Sequence, residues 1–335
     1  MKQVILGMAC VLAISGATMA AQNVPASNTP VAPAAPTPQP SAEPANPFPP
    51  TNPKNFTADS PSLDEVNGFL KALWGYDTNR VWQVEGIVKT PAPGVAKVVV
   101  LVGDKRAPGK TSHLVFFTTP DGKHAIAENV IDFGVKPFAE ARKTLQERAE
   151  GPAKGAKSND LLFVEFADLQ CERCKDAQEK MDSLQQDFPQ ARIVFEDTPA
   201  SNQPYAERAA LDGVCVRKTK GDAAFFSYVQ AVYAKQAGLT PASVDETLKA
   251  SITAAGADPA AVAACAALPE TKATVDAAVK LAQDVGAVQV PVLAINGHFV
   301  ALDSVPYEQL KQMIAFQAGQ DGITVHLQPT LTTLK

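Results

Sequence analysis

Histidine and cysteine are both scarce in this chain, at four and five among 335 residues. The histidines (His113, His124, His298, His326) are scattered, and none has ligand spacing. Only one CxxC pair occurs, whereas zinc centres of that type use two. These absences argue against a metal, and no pattern calls for another cofactor. An excess of positive charge is missing as well. The formal net charge of −5 argues against nucleic acid as a partner. There is no basic run to hold an acidic lipid surface, and no internal repeat.

Proline, by contrast, is abundant: 27 residues, eleven of them between Pro25 and Pro53. Residues 22–60, rich in Pro, Ala, Thr, Ser and Asn, cannot build a core and read as a solvated, polyproline-like tether. Ahead of them, Lys2, an apolar run over 4–17 and small residues at Thr18, Ala20 and Ala21 fit an export signal over 1–21. A periplasmic or other extracytoplasmic location follows. If the signal is not cleaved, its apolar stretch would tether the protein to the membrane. Cys10 lies within the signal, so four cysteines remain after cleavage. In an exported protein they allow two disulfides. The close pair Cys171 and Cys174 leaves Cys215 with Cys265 as a structural disulfide, worth about 3–4 kcal/mol in the chain-entropy treatment. The alternative is two inert buried thiols.

Hydrophobic periodicity divides the rest. In 61–135, Ser62 and Glu65 form a capping box, and Leu63, Val66, Leu70 and Leu73 give a helical stripe. Strand-like runs follow at 81–88, 95–102, 113–118 and 125–132, with a turn at Pro120-Asp121-Gly122. This predicts a small α+β domain with an antiparallel sheet. Residues 136–156 read as a charged linker helix, ended by Gly151-Pro152 and Gly155. In 157–320, a strand at 161–167, a helix from Cys171 and a strand at 191–196 predict a β-α-β unit with a parallel pair. A helical, Ala-rich insertion spans about 201–284. Two strands then flank an Asn296-Gly297 hairpin turn, and a last helix starts near Ser304 and Pro306. Residues 321–335 form an uninformative tail.

The chemistry concentrates at Cys171-Glu172-Arg173-Cys174. With Ala177, Met181, Leu184 and Phe188, the two cysteines fall on one face of a helix that follows an apolar strand. A helix start offers unpaired amides and a positive dipole end, which favour a thiolate at Cys171. Cys174, one turn later, faces inward with a higher pKa. Cys171 is therefore the nucleophile and Cys174 the resolving thiol. Glu172 and Arg173 should tune the pair in opposite senses. Glu165, six residues upstream in the strand, is a candidate proton acceptor for Cys174 if it is buried; the alternative is a surface glutamate. His298 reads as a surface turn residue.

The run Phe163-Val164-Glu165-Phe166-Ala167-Asp168-Leu169-Gln170-Cys171-Glu172-Arg173-Cys174, with Val288-Gln289-Val290-Pro291-Val292-Leu293-Ala294-Ile295-Asn296-Gly297 and the helical stretch between them, resembles the exported DsbA-like branch of the thioredoxin superfamily. The resemblance covers 160–318. It implies an α/β thioredoxin-like domain with a helical insertion, a cis peptide at Pro291, and substrate backbone pairing beside Val290 and Pro291. It also implies a buried acid at Glu165. Residues 114–126 and 130–133 are similar to the N-terminal cystatin-like domain of DsbC and DsbG, which implies a homodimer through 61–135. The Glu-Arg dipeptide matches neither the Pro-His of strong oxidants nor the aromatic residue of isomerases, while Val290 sits closer to the oxidases. The function implied is disulfide formation or exchange in exported, cysteine-containing polypeptides, with a DsbB-like or DsbD-like membrane redox partner. A dimeric isomerase or reductase is the alternative. A chaperone that hardly needs its thiols is a third reading.

Overall fold

The first helix starts on reciprocal hydrogen bonds. The Glu65 amide donates to Ser62 Oγ at 3.2 Å, and the Ser62 amide donates to Glu65 Oε2 at 2.7 Å, so two orphan donors are satisfied together. The computed structural model describes residues 48–127, 130–287 and 289–325. The expected export signal, most of the proline-rich segment and the tail after 325 lie outside the described residues. Of the two units into which the chain divides, Met1–Pro50 and Thr51–Lys335, the second carries the fold set out below.

Helix α1 (Leu63–Trp74) buries Val66, Phe69, Leu70 and Ala72. They pack on an antiparallel sheet in sequential order: β1 (Arg80–Lys89), β2 (Ala96–Asp104), β3 (Thr111–Thr118), β4 (His124–Ile126) and β5 (Val130–Asp132). Period-two alternation selects the inner face: Ala96, Val98 and Val100 are buried, whereas Lys97 is exposed. The run 125–132, expected as one strand, is two. The chain reverses so that Ile126 pairs with Val130.

The linker helix α2 (Ala139–Arg148) is shorter than the expected 136–150. Pro137 biases Lys136 away from helical backbone, which delays the start. After α2 the sequence reading saw only helix breakers, but the chain forms an edge strand, β6 (Ala153–Gly155). Its glycines serve close backbone approach. A Cβ on Gly151 would meet the Phe195 carbonyl oxygen at 2.0 Å, and one on Gly155 would meet that of Ala191 at 2.3 Å.

The second sheet adds β7 (Leu162–Ala167), β8 (Arg192–Asp197), β9 (Val292–Ile295) and β10 (His298–Ala301), in the order β10-β9-β7-β8-β6. β7 pairs parallel with β8 and antiparallel with β9. All its residues are buried, as befits a central strand covered on both faces. The cysteine helix is interrupted at Ala177, giving α3 (Glu172–Asp176) and α4 (Gln178–Asp187). Its apolar face survives the break: Ala177, Met181, Leu184 and Phe188 are buried, and Phe188 meets Phe163 edge-on at 5.9 Å. The insertion contains α5 (Ala206–Lys220), α6 (Asp222–Ala234), α7 (Val244–Ala254), α8 (Pro259–Ala266) and α9 (Pro269–Asp284), and α10 (Tyr307–Gln320) closes the fold. Cys215 on α5 and Cys265 on α8 are disulfide-bonded, with their Cα atoms 5.8 Å apart.

Helix α2 is fastened to the second sheet at several points. Arg142 pairs with Asp321 at 3.1 Å and donates to the Asp160 carbonyl at 2.9 Å. Phe138 stacks on His298 with centroids 4.2 Å apart. His298 is therefore a packing residue and not the surface turn residue expected, and burial lowers its pKa to about 4. Gly297, at φ +88°, lets the hairpin turn approach: a Cβ there would meet the Phe138 carbonyl oxygen at 2.5 Å and the Arg142 nitrogen at 2.6 Å. Gly297→Ala should lower stability by about 2 kcal/mol or more in thermal or urea unfolding. Gly109→Ala, at a similar φ but with nothing within 4 Å, should cost only about 1 kcal/mol. The difference between the two variants measures the docking of the linker helix.

Candidate redox site

The end of β7 is fixed before the cysteines arrive. Asp168, fully buried, accepts the Gln170 amide at Oδ1 (2.7 Å) and the Ala200 amide at Oδ2 (2.8 Å). Its carbonyl accepts the Cys171 amide at 3.1 Å and the Tyr233 hydroxyl at 3.3 Å. Gln236 donates to the carbonyls of Leu169 and Cys171, both at 3.0 Å. This loop delivers Cys171 in extended backbone to the N-cap of α3, where its Sγ accepts the Cys174 amide at 3.2 Å.

The two sulfurs differ as the spacing requires. Cys171 is half-buried and Cys174 is fully buried. Hydrogen bonds from the Cys174 thiol and amide lower the Cys171 pKa to about 7, against burial and the Asp168 charge; Arg173 contributes least. The Cys171 hydrogen bond and burial push Cys174 far up. At neutral pH one thiol is thus ready to attack and the other waits, protonated.

Glu165 is buried in the middle of β7, not at the surface. Burial raises its carboxyl to about 7, partly offset by a hydrogen bond from Gln178. Gln178 Nε2 donates both to Glu165 Oε1 at 2.6 Å and to the Cys174 carbonyl at 3.2 Å. A carboxyl that can hold or release a proton near neutrality is thereby linked to the turn carrying the resolving thiol. Asp197, at the end of β8, is also buried, and neither carboxylate oxygen has a hydrogen-bond partner. Burial, with the charges of Asp168 and Glu196, raises its pKa well above the ordinary range.

The peptide between Val290 and Pro291 is cis. Pro291 is buried, and Val290 packs against the cluster that holds Cys174. Arg173 ties this loop to the cysteines: Nη2 donates to the Val290 carbonyl at 3.1 Å, and Nη1 to Asp303 Oδ2 at 2.9 Å. Glu172 is exposed beside it. The site therefore gathers Cys171, Cys174, Glu165, Arg173, Val290 and Pro291, while Cys215 and Cys265 lie in the insertion. Sequence reasoning gave no role to Asp168, Gln178, Asp197, Gln236 or Asp303. Gln178 had a signal, lying four residues after Cys174 on a helix. Asp303 had none, since it lies in another element 130 positions from Arg173.

A half-buried sulfur capping a helix, a buried partner one turn on and a titratable carboxyl reached through Gln178 form the arrangement that thiol–disulfide exchange requires. The chain belongs to the thioredoxin family: the family model described as Thioredoxin matches residues 147–315. Among solved structures, the chain is similar to the catalytic domain of Proteus mirabilis ScsC, at 18% identity and TM-score 0.46 over 54% of this chain and 99% of that one. A periplasmic thioredoxin-like protein from Salmonella enterica serovar Typhimurium gives 19%, 0.45, 54% and 97% in the same measures. For oxidised BdbD from Bacillus subtilis they are 18%, 0.45, 50% and 93%. No curated protein sequence matches the chain.

Because burial raises the Glu165 carboxyl to about 7 in the folded chain, the unfolded chain releases this proton first as pH rises. Stability should fall from the ordinary value of 4.5 up to about 7 and level off above it. Glu165→Gln should remove that slope, gaining on the parent protein by about 3 kcal/mol across the window in urea unfolding. The same variant should slow resolution of a mixed disulfide in stopped-flow measurements; unchanged kinetics would remove the proton-acceptor role.

Proposed function

We propose that the protein is exported and forms or exchanges disulfides in other secreted, cysteine-containing polypeptides. The observation that carries the reading is the asymmetric thiol pair: Cys171 capping α3 with a pKa of about 7, and Cys174 buried behind it. In the reducing direction, the Cys171 thiolate attacks a substrate disulfide, forming a mixed disulfide and releasing one substrate thiolate, which takes a proton from solvent. Cys174 then gives its proton to Glu165 and attacks the Cys171 sulfur. The second substrate sulfur leaves as a thiolate, which takes a proton from solvent, and the Cys171–Cys174 disulfide remains. Oxidation of a substrate is the reverse sequence, with a DsbB-like membrane partner restoring the disulfide. Extended substrate backbone would lie beside Val290 and Pro291.

Cys171→Ser should abolish insulin reduction and oxidative refolding of a reduced client. Cys174→Ser should accumulate mixed disulfides with exported polypeptides, visible on non-reducing gels. Retention of both activities in Cys171→Ser would overturn the reading. Alkylation trapping in the native compartment separates the directions: a mostly oxidised pair supports net oxidation.

One observation favours the second reading, a dimeric isomerase or reductase kept reduced by a DsbD-like partner. The free edge of the first sheet and its neighbours expose Phe117, Ile126, Val130, Ile131 and Val135, with Val130 and Val135 more than three-fifths accessible. An apolar sheet edge is a template for pairing with a second copy. Sedimentation should then give a dimer that Val130→Glu converts to monomer, with loss of scrambled-ribonuclease rescue but not of insulin reduction. A monomeric parent protein would remove this reading and leave the first intact.

A further inference from the structure

Arg173 occupies the position between the cysteines that sequence reasoning assigned to thiolate stabilisation, yet its guanidinium is engaged elsewhere. Nη1 lies 2.9 Å from Asp303 Oδ2, and Nη2 lies 3.1 Å from the Val290 carbonyl oxygen. Asp303 belongs to the loop between β10 and α10, and it is held in turn: its Oδ1 accepts the Ser304 hydroxyl at 2.9 Å. The same loop is fastened to the cysteine helix a second time. Lys180 donates to the carbonyls of Leu302 and Val305, both at 2.8 Å. Asp303 is three-quarters buried on its side chain while Arg173 is mostly exposed, so the aspartate is the fixed partner and the arginine the adjustable one.

We infer that Asp303 is a positioning residue for the redox pair: it draws the Arg173 guanidinium onto the Val290 loop and neutralises it there, withholding its charge from the Cys171 sulfur. The poise of the centre is then set from the loop between β10 and α10. Among the described residues, the charged and titratable groups that act on Cys171 include Asp168, Cys174, Arg173 and Tyr233. Asp303 faces Arg173 and, at longer range, Lys180. Of those acting on Cys171, Arg173 is the cation, and its ion pair with Asp303 weakens its pull on the sulfur. Removing Asp303 restores a full positive charge two residues from Cys171, which favours the thiolate. Removing Arg173 leaves the Asp303 carboxylate uncompensated, which disfavours it.

This inference rests on Cys171 as the nucleophilic thiol, so the test reads the sulfur and not turnover. The reduced full chain is titrated by thiolate absorbance at low ionic strength, for the parent protein, Asp303→Asn, Arg173→Gln and the double variant. Asp303→Asn should lower the Cys171 midpoint by roughly half to one pH unit, and Arg173→Gln should raise it by a similar amount. The double variant should return close to the parent value. Asp303→Glu should keep the parent midpoint, and the Asp303→Asn shift should shrink as salt is added, because the pair is partly exposed. An unchanged or raised midpoint in a folded Asp303→Asn protein overturns the inference. A parent protein with no thiol titrating below that of free cysteine overturns instead the assignment of Cys171 as nucleophile.

Discussion

The site depends on one hydrogen bond: the Cys174 amide donating to the Cys171 sulfur at the start of α3. It lets a thiolate satisfy an orphan helix donor, and the same geometry puts the second sulfur one turn further in, out of water. The rest of the unit keeps that start in place. β7 is buried along its whole length and cannot slide without exposing apolar side chains on both faces. Asp168 then locks the outgoing loop through both carboxylate oxygens and its carbonyl. The Asp168 charge opposes the thiolate, so the residue that holds the geometry partly counteracts the electrostatics.

Beneath the sulfurs the sheet carries an unusual concentration of buried acids. Glu165, Asp168, Glu196 and Asp197 lie on two neighbouring strands or just beyond their ends. Each is pushed toward its neutral form, by desolvation first. Their hydrogen bonding separates them. Asp168 accepts two amides and Glu196 accepts the Gly151 amide at 2.8 Å, which are structural duties. Glu165 has a single side-chain partner, Gln178, and Asp197 has none among the described residues. Of the four, Glu165 combines a pKa near neutrality with a hydrogen-bonded link, through Gln178, to the Cys174 backbone.

Much of this was legible in the sequence because the signals were local. The strand before the cysteines, the helix face through Phe188 and the hairpin at Asn296-Gly297 all follow from periodicity and turn chemistry over a few residues. The difference in burial between the two sulfurs followed from a three-residue spacing and a helix start. Misreadings arose where distant chain met. β6 was invisible because its strand character comes from pairing with β8, not from its own residues. His298 looked like a turn residue because nothing nearby revealed the Phe138 ring lying on it. Asp303 meets Arg173 across 130 positions, which spacing does not encode. The double strand within 124–132 was missed because each piece is three residues long, too short for period-two alternation to show.

The staple between α5 and α8 shares its hydrophobic cluster with Cys174. The packing behind the deeper of the two site sulfurs is therefore continuous with a cross-link set in the helical insertion, so a change that opens the cross-link also reaches the wall behind the pair.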